Sequence, residues 1–164
     1  MCCVGGNIYL AGGAGDGRVR EYNPRTNTWR NMPWLQEGRV GHSVCTLDNK
    51  IFVLGGGDGE GTTCEILDLS EDDPQWRYIA EMNNDHGDGG AVVKKKKNYA
   101  YVLGGCTTNV DVYDVDQNQW NWIVDSLASL SSASAMTAME GFNWVEKPMQ
   151  GAISSEHTNV LTLM

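Results

Sequence analysis

The chain has 164 residues, enough for one ordinary domain with its own core. A formal net charge of −9 repels nucleic acid and anionic membranes at long range, and no apolar run reaches the ~20 residues that a membrane helix needs. Twenty glycines against four prolines, with 41% apolar residues, fit many short strands joined by tight turns.

The first six residues carry neither the basic region nor the long apolar core of a secretory signal. Immediately after them the chain shows its organising unit, a short apolar run closed by two glycines. Ile8-Tyr9-Leu10-Ala11 leads into Gly12-Gly13, Ile51-Phe52-Val53-Leu54 into Gly55-Gly56, and Tyr99-Ala100-Tyr101-Val102-Leu103 into Gly104-Gly105. The pairs are 43 and 49 residues apart, a period that dictates a repeat architecture. After each pair come a loop and an alternating strand: Val19 to Tyr22, Cys64 to Leu67, Val110 to Tyr113. A polar turn then leads to a tryptophan, Trp29, Trp76 or Trp120, at the head of one more strand. Gly41 and Gly90 each lie fourteen residues before a glycine pair and open a leading strand. The unit is therefore four strands, A to D, in about 45 residues.

Strand B is apolar at nearly every position, which predicts burial on both faces; strand C alternates, which predicts a position nearer solvent. The glycine pairs permit positive φ and close packing at the end of strand B. Tyr22, Tyr113 and the three tryptophans are large flat groups expected to fill the space between twisted sheets. Residues 1–32 read as an incomplete unit with strands B to D, Met1 to Val4 offering at most a stub of strand A, 39–80 and 88–125 as full units, and 126–164 as a Ser/Ala-rich linker and degenerate tail.

The apolar run with its double glycine, the Tyr or Leu, the Trp, and Arg39-Val40-Gly41-His42-Ser43 at the start of a unit together resemble the kelch repeat, over roughly residues 4 to 125. The resemblance implies an all-β chain of about three four-stranded blades from a β-propeller. A propeller closes with at least about four blades. The expectation is thus an open arc with a weakly structured C-terminal tail, either part of a longer kelch protein or completed by further blades or another chain. Glu21-Tyr22-Asn23-Pro24-Arg25-Thr26-Asn27-Thr28-Trp29 looks most like the kelch-like adaptors that deliver substrates to cullin ubiquitin ligases. Such adaptors carry a BTB domain ahead of the propeller, which the 164 residues do not include. Actin or cytoskeletal binding is the second role that the resemblance implies. Propeller oxidases use Tyr, His and a cross-linked Cys, and nothing here matches them residue by residue.

Chemistry of other kinds is weakly signalled. His42, His86 and His157 stand in no spacing that supports nucleophilic catalysis, so neither catalytic residues nor cofactors are expected. Asp85-His86-Gly87-Asp88 reads as a turn sooner than as a cation site. Asp114-x-Asp116-x-Asn118 lacks the Gly and distal Glu of a calcium loop. Lys94 to Lys97 reads as a solvated hairpin tip. The five cysteines, Cys2, Cys3, Cys45, Cys64 and Cys106, are odd in number without a Cys-x-x-Cys pair, which points to reduced thiols and a cytoplasmic setting in preference to a disulfide or zinc framework.

Topology places the B–C and D–A loops at one edge of every unit, where a rigid scaffold commonly carries binding residues. Kelch propellers commonly bind a peptide or protein partner there, and the resemblance implies the same here. The residues expected to contact it are Arg18, Trp34, Arg39, Asp58, Glu60, Thr107 and Asn109. Arg suits carboxylate forks and Trp serves as an aromatic anchor.

Overall fold

The computed structural model describes residues 1–13, 15–56 and 61–123. They form three antiparallel sheets of four strands, each in sequential order. The first sheet holds β1 Cys2–Val4, β2 Asn7–Ala11, β3 Val19–Asn23 and β4 Thr28–Asn31. The second holds β5 Ser43–Leu47, β6 Lys50–Leu54, β7 Cys64–Asp68 and β8 Arg77–Ile79. The third holds β9 Gly90–Lys94, β10 Tyr99–Leu103, β11 Val110–Asp114 and β12 Gln119–Ile123. The all-β open arc expected from the repeat is what the chain forms. The tail 126–164 lies outside the described residues.

Side-chain chemistry sets the hairpins. Between β3 and β4 the Asn23 carboxamide oxygen accepts the amides of Arg25 and Thr26 at 2.9 and 3.3 Å. Between β11 and β12 the Asp114 carboxylate does the same for Asp116 and Gln117 at 3.0 and 3.1 Å. Asn27 and Asn118 then take left-handed φ of 54° and 51°, which Asn tolerates better than other L residues. Their carboxamide oxygens accept the hydroxyls of Tyr22 and Tyr113, which ties each strand to its own turn.

The first unit is more complete than its reading as strands B to D, and the Met1–Val4 stub is a paired strand. It has its strand A: β1 pairs with β2 in the register Cys2↔Tyr9, Cys3↔Ile8, Val4↔Asn7. Gly5 and Gly6, at φ 58° and 84°, turn the chain in two residues, and Val4 is buried in the core.

The sheets stack face to face. Tyr9 and Ala11 of the first meet Ile51, Val53, Leu67 and Trp76 of the second. Phe52, Leu54 and Ile66 of the second meet Ala100, Val102, Tyr113 and Trp120 of the third. Alternate residues of one strand thus serve opposite neighbours, as the two-residue period requires. In the second and third units strand C does not lie nearer solvent as its alternation suggested, since β7 is buried at all five positions and β11 at four; β3 of the first unit alternates as expected and is buried only at Val19 and Glu21. The polar residues Glu65 and Asp111 are inside because each has partners waiting there.

Candidate protein-binding loop face

The segment from Met32 to His42 runs from β4 over the second sheet into β5, and the segment from Ala80 to Gly89 does the same from β8 into β9. Each forms a strap that closes a junction. The Trp76 indole donates to Pro33 O at 3.0 Å and the Trp120 indole to Ala80 O at 2.7 Å. The Gln36 amide donates to Glu65 at 2.7 Å, and the Asn84 amide to Asp111 at 2.9 Å.

Arg39 lies at the heart of the first strap. Its side chain is fully buried, and its guanidinium donates to Glu65 at 3.0 Å, to Glu37 at 3.0 Å, to Gly55 O at 2.8 Å and to Thr63 O at 2.9 Å. Arg39 is therefore corrected from a partner-binding residue to an internal clamp. A guanidinium without solvent contact, whose donors are taken by carboxylates and carbonyls, has none left for a partner. In the second strap the buried His86 holds the same place. One ring nitrogen bonds Gly104 O at 2.9 Å, and Nε2 faces Asp111 at 3.7 Å, beyond hydrogen-bond length. The Asp85–Asp88 run thus serves the junction. Among the described residues no three His, Cys, Asp or Glu side chains converge on a metal-sized site.

The glycine pairs let the straps approach. A Cβ at Gly56 would sit 2.7 Å from the His42 amide, and one at Gly105 would sit 2.8 Å from the His86 carbonyl carbon. Both glycines also have positive φ, 66° and 73°, so any L side chain there is strained as well as crowded.

The straps and B–C loops present their remaining side chains outward. Trp34 is 61% exposed. Arg18 is exposed and bonds Asp16 through Nε at 2.8 Å. Thr107 and Asn109 are half-buried; Thr107 caps the Asn109 amide, and the Asn109 carboxamide bonds Asn84 at 2.8 Å. Asp58 and Glu60 lie outside the described residues. Val40, 54% exposed beside the buried Arg39, was not anticipated. Its only sequence signal is its place in the strap, between a residue that turns in and a glycine that turns the chain. An open cleft of about 430 Å³ adjoins this face between the first two sheets, lined by Met1, Leu10, Gly12, Gly13, Gly41 and His42. His42 bonds Ala11 O at 2.8 Å, and burial holds its imidazole below the usual histidine range.

None of the five cysteines is paired. Burial pushes the Cys2 thiol up to about 11 and the Cys64 thiol to about 12, so both are held as unreactive thiols.

Comparison with known families matches this geometry. Models of the kelch motif fit residues 1–34 and 38–83. The chain is built of kelch repeats. It is 28% identical over 127 residues to Kelch-like protein 23 of Homo sapiens, which covers 73% of this chain and 22% of that protein. Kelch repeat and BTB domain-containing protein 8 of Danio rerio is 33% identical over 132 residues, covering 73% of this chain and 20% of the relative. Alpha-scruin of Limulus polyphemus is 27% identical over 134 residues, covering 74% and 14%. The chain thus spans about a fifth of the length of the Kelch-like relatives it matches, and it resembles the BTB-kelch proteins over that part. Among the described residues no helix is long and apolar enough to cross a membrane.

Proposed function

We propose that this kelch chain is a protein-interaction module whose loop face takes a peptide or protein partner. The observation that carries the reading is the exposed Trp34 and Val40 on straps whose other large apolar residues, Met32, Leu35 and Met82, are buried. An exposed aromatic held by a rigid scaffold is the usual anchor of an interface. Arg18, Thr107 and Asn109 supply polar contacts around it, and Asp58 and Glu60 are proposed to do so from their loop. Similarity to Kelch-like and BTB-containing relatives supports delivery of that partner to a cullin ubiquitin ligase as the finer reading. Actin binding in the cytoplasm is the rival that kelch repeats also imply.

The test compares wild type with the double variant Trp34→Ala/Arg18→Ala. Immobilised wild type is expected to retain ubiquitin-ligase substrates, and the variant to lose them with an unchanged melting temperature. Co-sedimentation with filamentous actin would favour the rival. Equal retention by both proteins would remove the loop face from the interaction.

A further inference from the structure

The two internal junctions meet a buried carboxylate in different ways. In the first, Glu65 pairs with Arg39 at 3.0 Å, and both side chains are fully buried. In the second, Asp111 stands in the register place of Glu65, opposite Val102 as Glu65 is opposite Val53. It accepts at both oxygens from Asn84, the amide at 2.9 Å and the carboxamide at 2.7 Å, and both donors are neutral. The group facing it in the place of Arg39 is His86, equally buried, with Nε2 at 3.7 Å.

Both ring nitrogens of His86 look at acceptors. Nδ1 lies 2.9 Å from Gly104 O, and a carbonyl only accepts, so Nδ1 carries a proton. A neutral ring then turns the lone pair of Nε2 toward a carboxylate, and Nε2 is buried without a hydrogen-bond partner among the described residues. An unpartnered polar atom inside is costly, and a buried carboxylate without a cation is costlier. One proton from solvent, added at Nε2, removes both faults. The imidazolium donates to Gly104 O and to Asp111, and the junction holds an opposed pair where it held a lone anion. Burial disfavours a charged ring, but a carboxylate within ~4–6 Å favours it. The other titratable groups nearby bring no cation. Asp85 of the same strap accepts the Gly87 amide, and Asp88 is exposed. The Cys106 thiol reaches Gly87 O at 3.9 Å, and Cys64 of β7, which interacts with Asp111, is pushed up to about 12 by burial.

We infer that His86 is a proton-operated clamp: with one proton it holds only Gly104, and with two it locks the second strap onto Asp111. The first junction has no such control, because the guanidinium of Arg39 stays charged. The stability that the second proton adds is present in full below the histidine window of ~pH 5–8 and is lost as pH rises through it, opposite in sign to His42. The clamp reaches the surface through Asn84, which accepts from the Asn109 carboxamide at 2.8 Å; that consequence alone rests on the loop-face reading.

The experiment uses the full chain, ¹⁵N-labelled and without a partner, at about pH 5 and about pH 8. The His86 ring, assigned through His86→Gln, is expected to carry protons on both nitrogens at the lower pH and on Nδ1 alone at the higher. Hydrogen-exchange protection of the Asn84 amide is expected to fall about tenfold from the lower pH to the higher. The Gln36 amide of the first strap should keep its protection. His86→Gln should abolish the response of Asn84, and Asp111→Asn should leave the ring with one proton at both pH values. If Asp111→Asn does not fold, the wild-type ring and its exchange decide alone. A ring with one proton at about pH 5 in the folded chain, equal protection of Asn84 at the two pH values, or matching losses at Gln36 and Asn84 would each overturn the inference. Because no partner is present, failure here leaves the loop-face reading standing, and failure there leaves this one.

Discussion

At the junction of the first two sheets a guanidinium fills the slot beneath the strap; at the junction of the second and third an imidazole fills it. The slot is the same in both places: a strand-C carboxylate, a strap amide and the carbonyl of the first glycine of the pair. Arg39 brings five N–H donors in a rigid fork and satisfies Glu65, Glu37, Gly55 O and Thr63 O together. His86 has two ring nitrogens, bonds Gly104 O with one, and leaves the other 3.7 Å from Asp111. The Asn84 side chain makes up part of the difference by donating to Asp111 at 2.7 Å. A repeat therefore conserves the geometry of a slot more strictly than the residue that fills it, and the strength of each junction follows the donor inventory.

Substitution in the two slots is the most direct way to break this comparison. Arg39→Ala leaves Glu65 as a buried charge without its cation and is expected to cost about 3–5 kcal/mol in urea unfolding. Trp76→Ala, which empties the first junction, is expected in the same range of about 3–5 kcal/mol. His86→Ala removes one hydrogen bond to a carbonyl and should cost about 1–3 kcal/mol. Equal losses for Arg39→Ala and His86→Ala would mean that the two clamps do not differ in strength. Trp29→Ala sharpens the contrast from outside the junctions. It loses an exposed aromatic pair and should cost about 0.5–1.5 kcal/mol.

The smallest effects are those of pH. Hydrogen bonds from the Ser70 hydroxyl and the Lys50 ammonium hold the Asp68 carboxyl down to about 2, below its ordinary 3.8. The unfolded chain then binds more protons between those values, so this stability is complete above about pH 4 and lost as pH falls toward 2. His42 works in a higher window. Burial lowers its pKa below 6.5, so the folded chain resists the proton that the unfolded chain accepts, and stability declines as pH falls through and below 6.5. Melting temperature against pH should show both slopes. Asp68→Asn should flatten the acid limb and His42→Gln the upper one; unchanged slopes would remove these groups from the linkage.

Much of this was legible in the residues. The glycine pairs, the Tyr-to-Asn turns and the tryptophans mark strands B, C and D, because turn chemistry and the two-residue period are local properties. Strand A of the first unit was harder to see, because its three residues carry only the two glycines that turn them. The burial of Glu65 and Asp111 was also hidden, since alternation records which residues share a face and not what lies against that face. Arg39 misled for a related reason. A charged residue in a loop reads as solvated, and only the carboxylate and carbonyls that surround it, contributed from sites up to 26 residues away, turn it inward. Its equivalence to His86 is masked as well: counting back from the glycine pairs aligns Gly41 with Gly90, which puts Asp88 opposite Arg39.

The sequence by itself determined the unit, its four strands, the hairpin turns and the kelch resemblance, because these rest on spacing and on backbone preferences within a few residues. The tertiary structure decided that Trp76 and Trp120 are core and that Arg39 turns inward as a clamp. Those outcomes depend on what the neighbouring sheet and strap bring to each side chain. Trp29, Trp76 and Trp120 hold equivalent places in the repeat, yet only the stacking of the sheets shows that the last two indoles are covered.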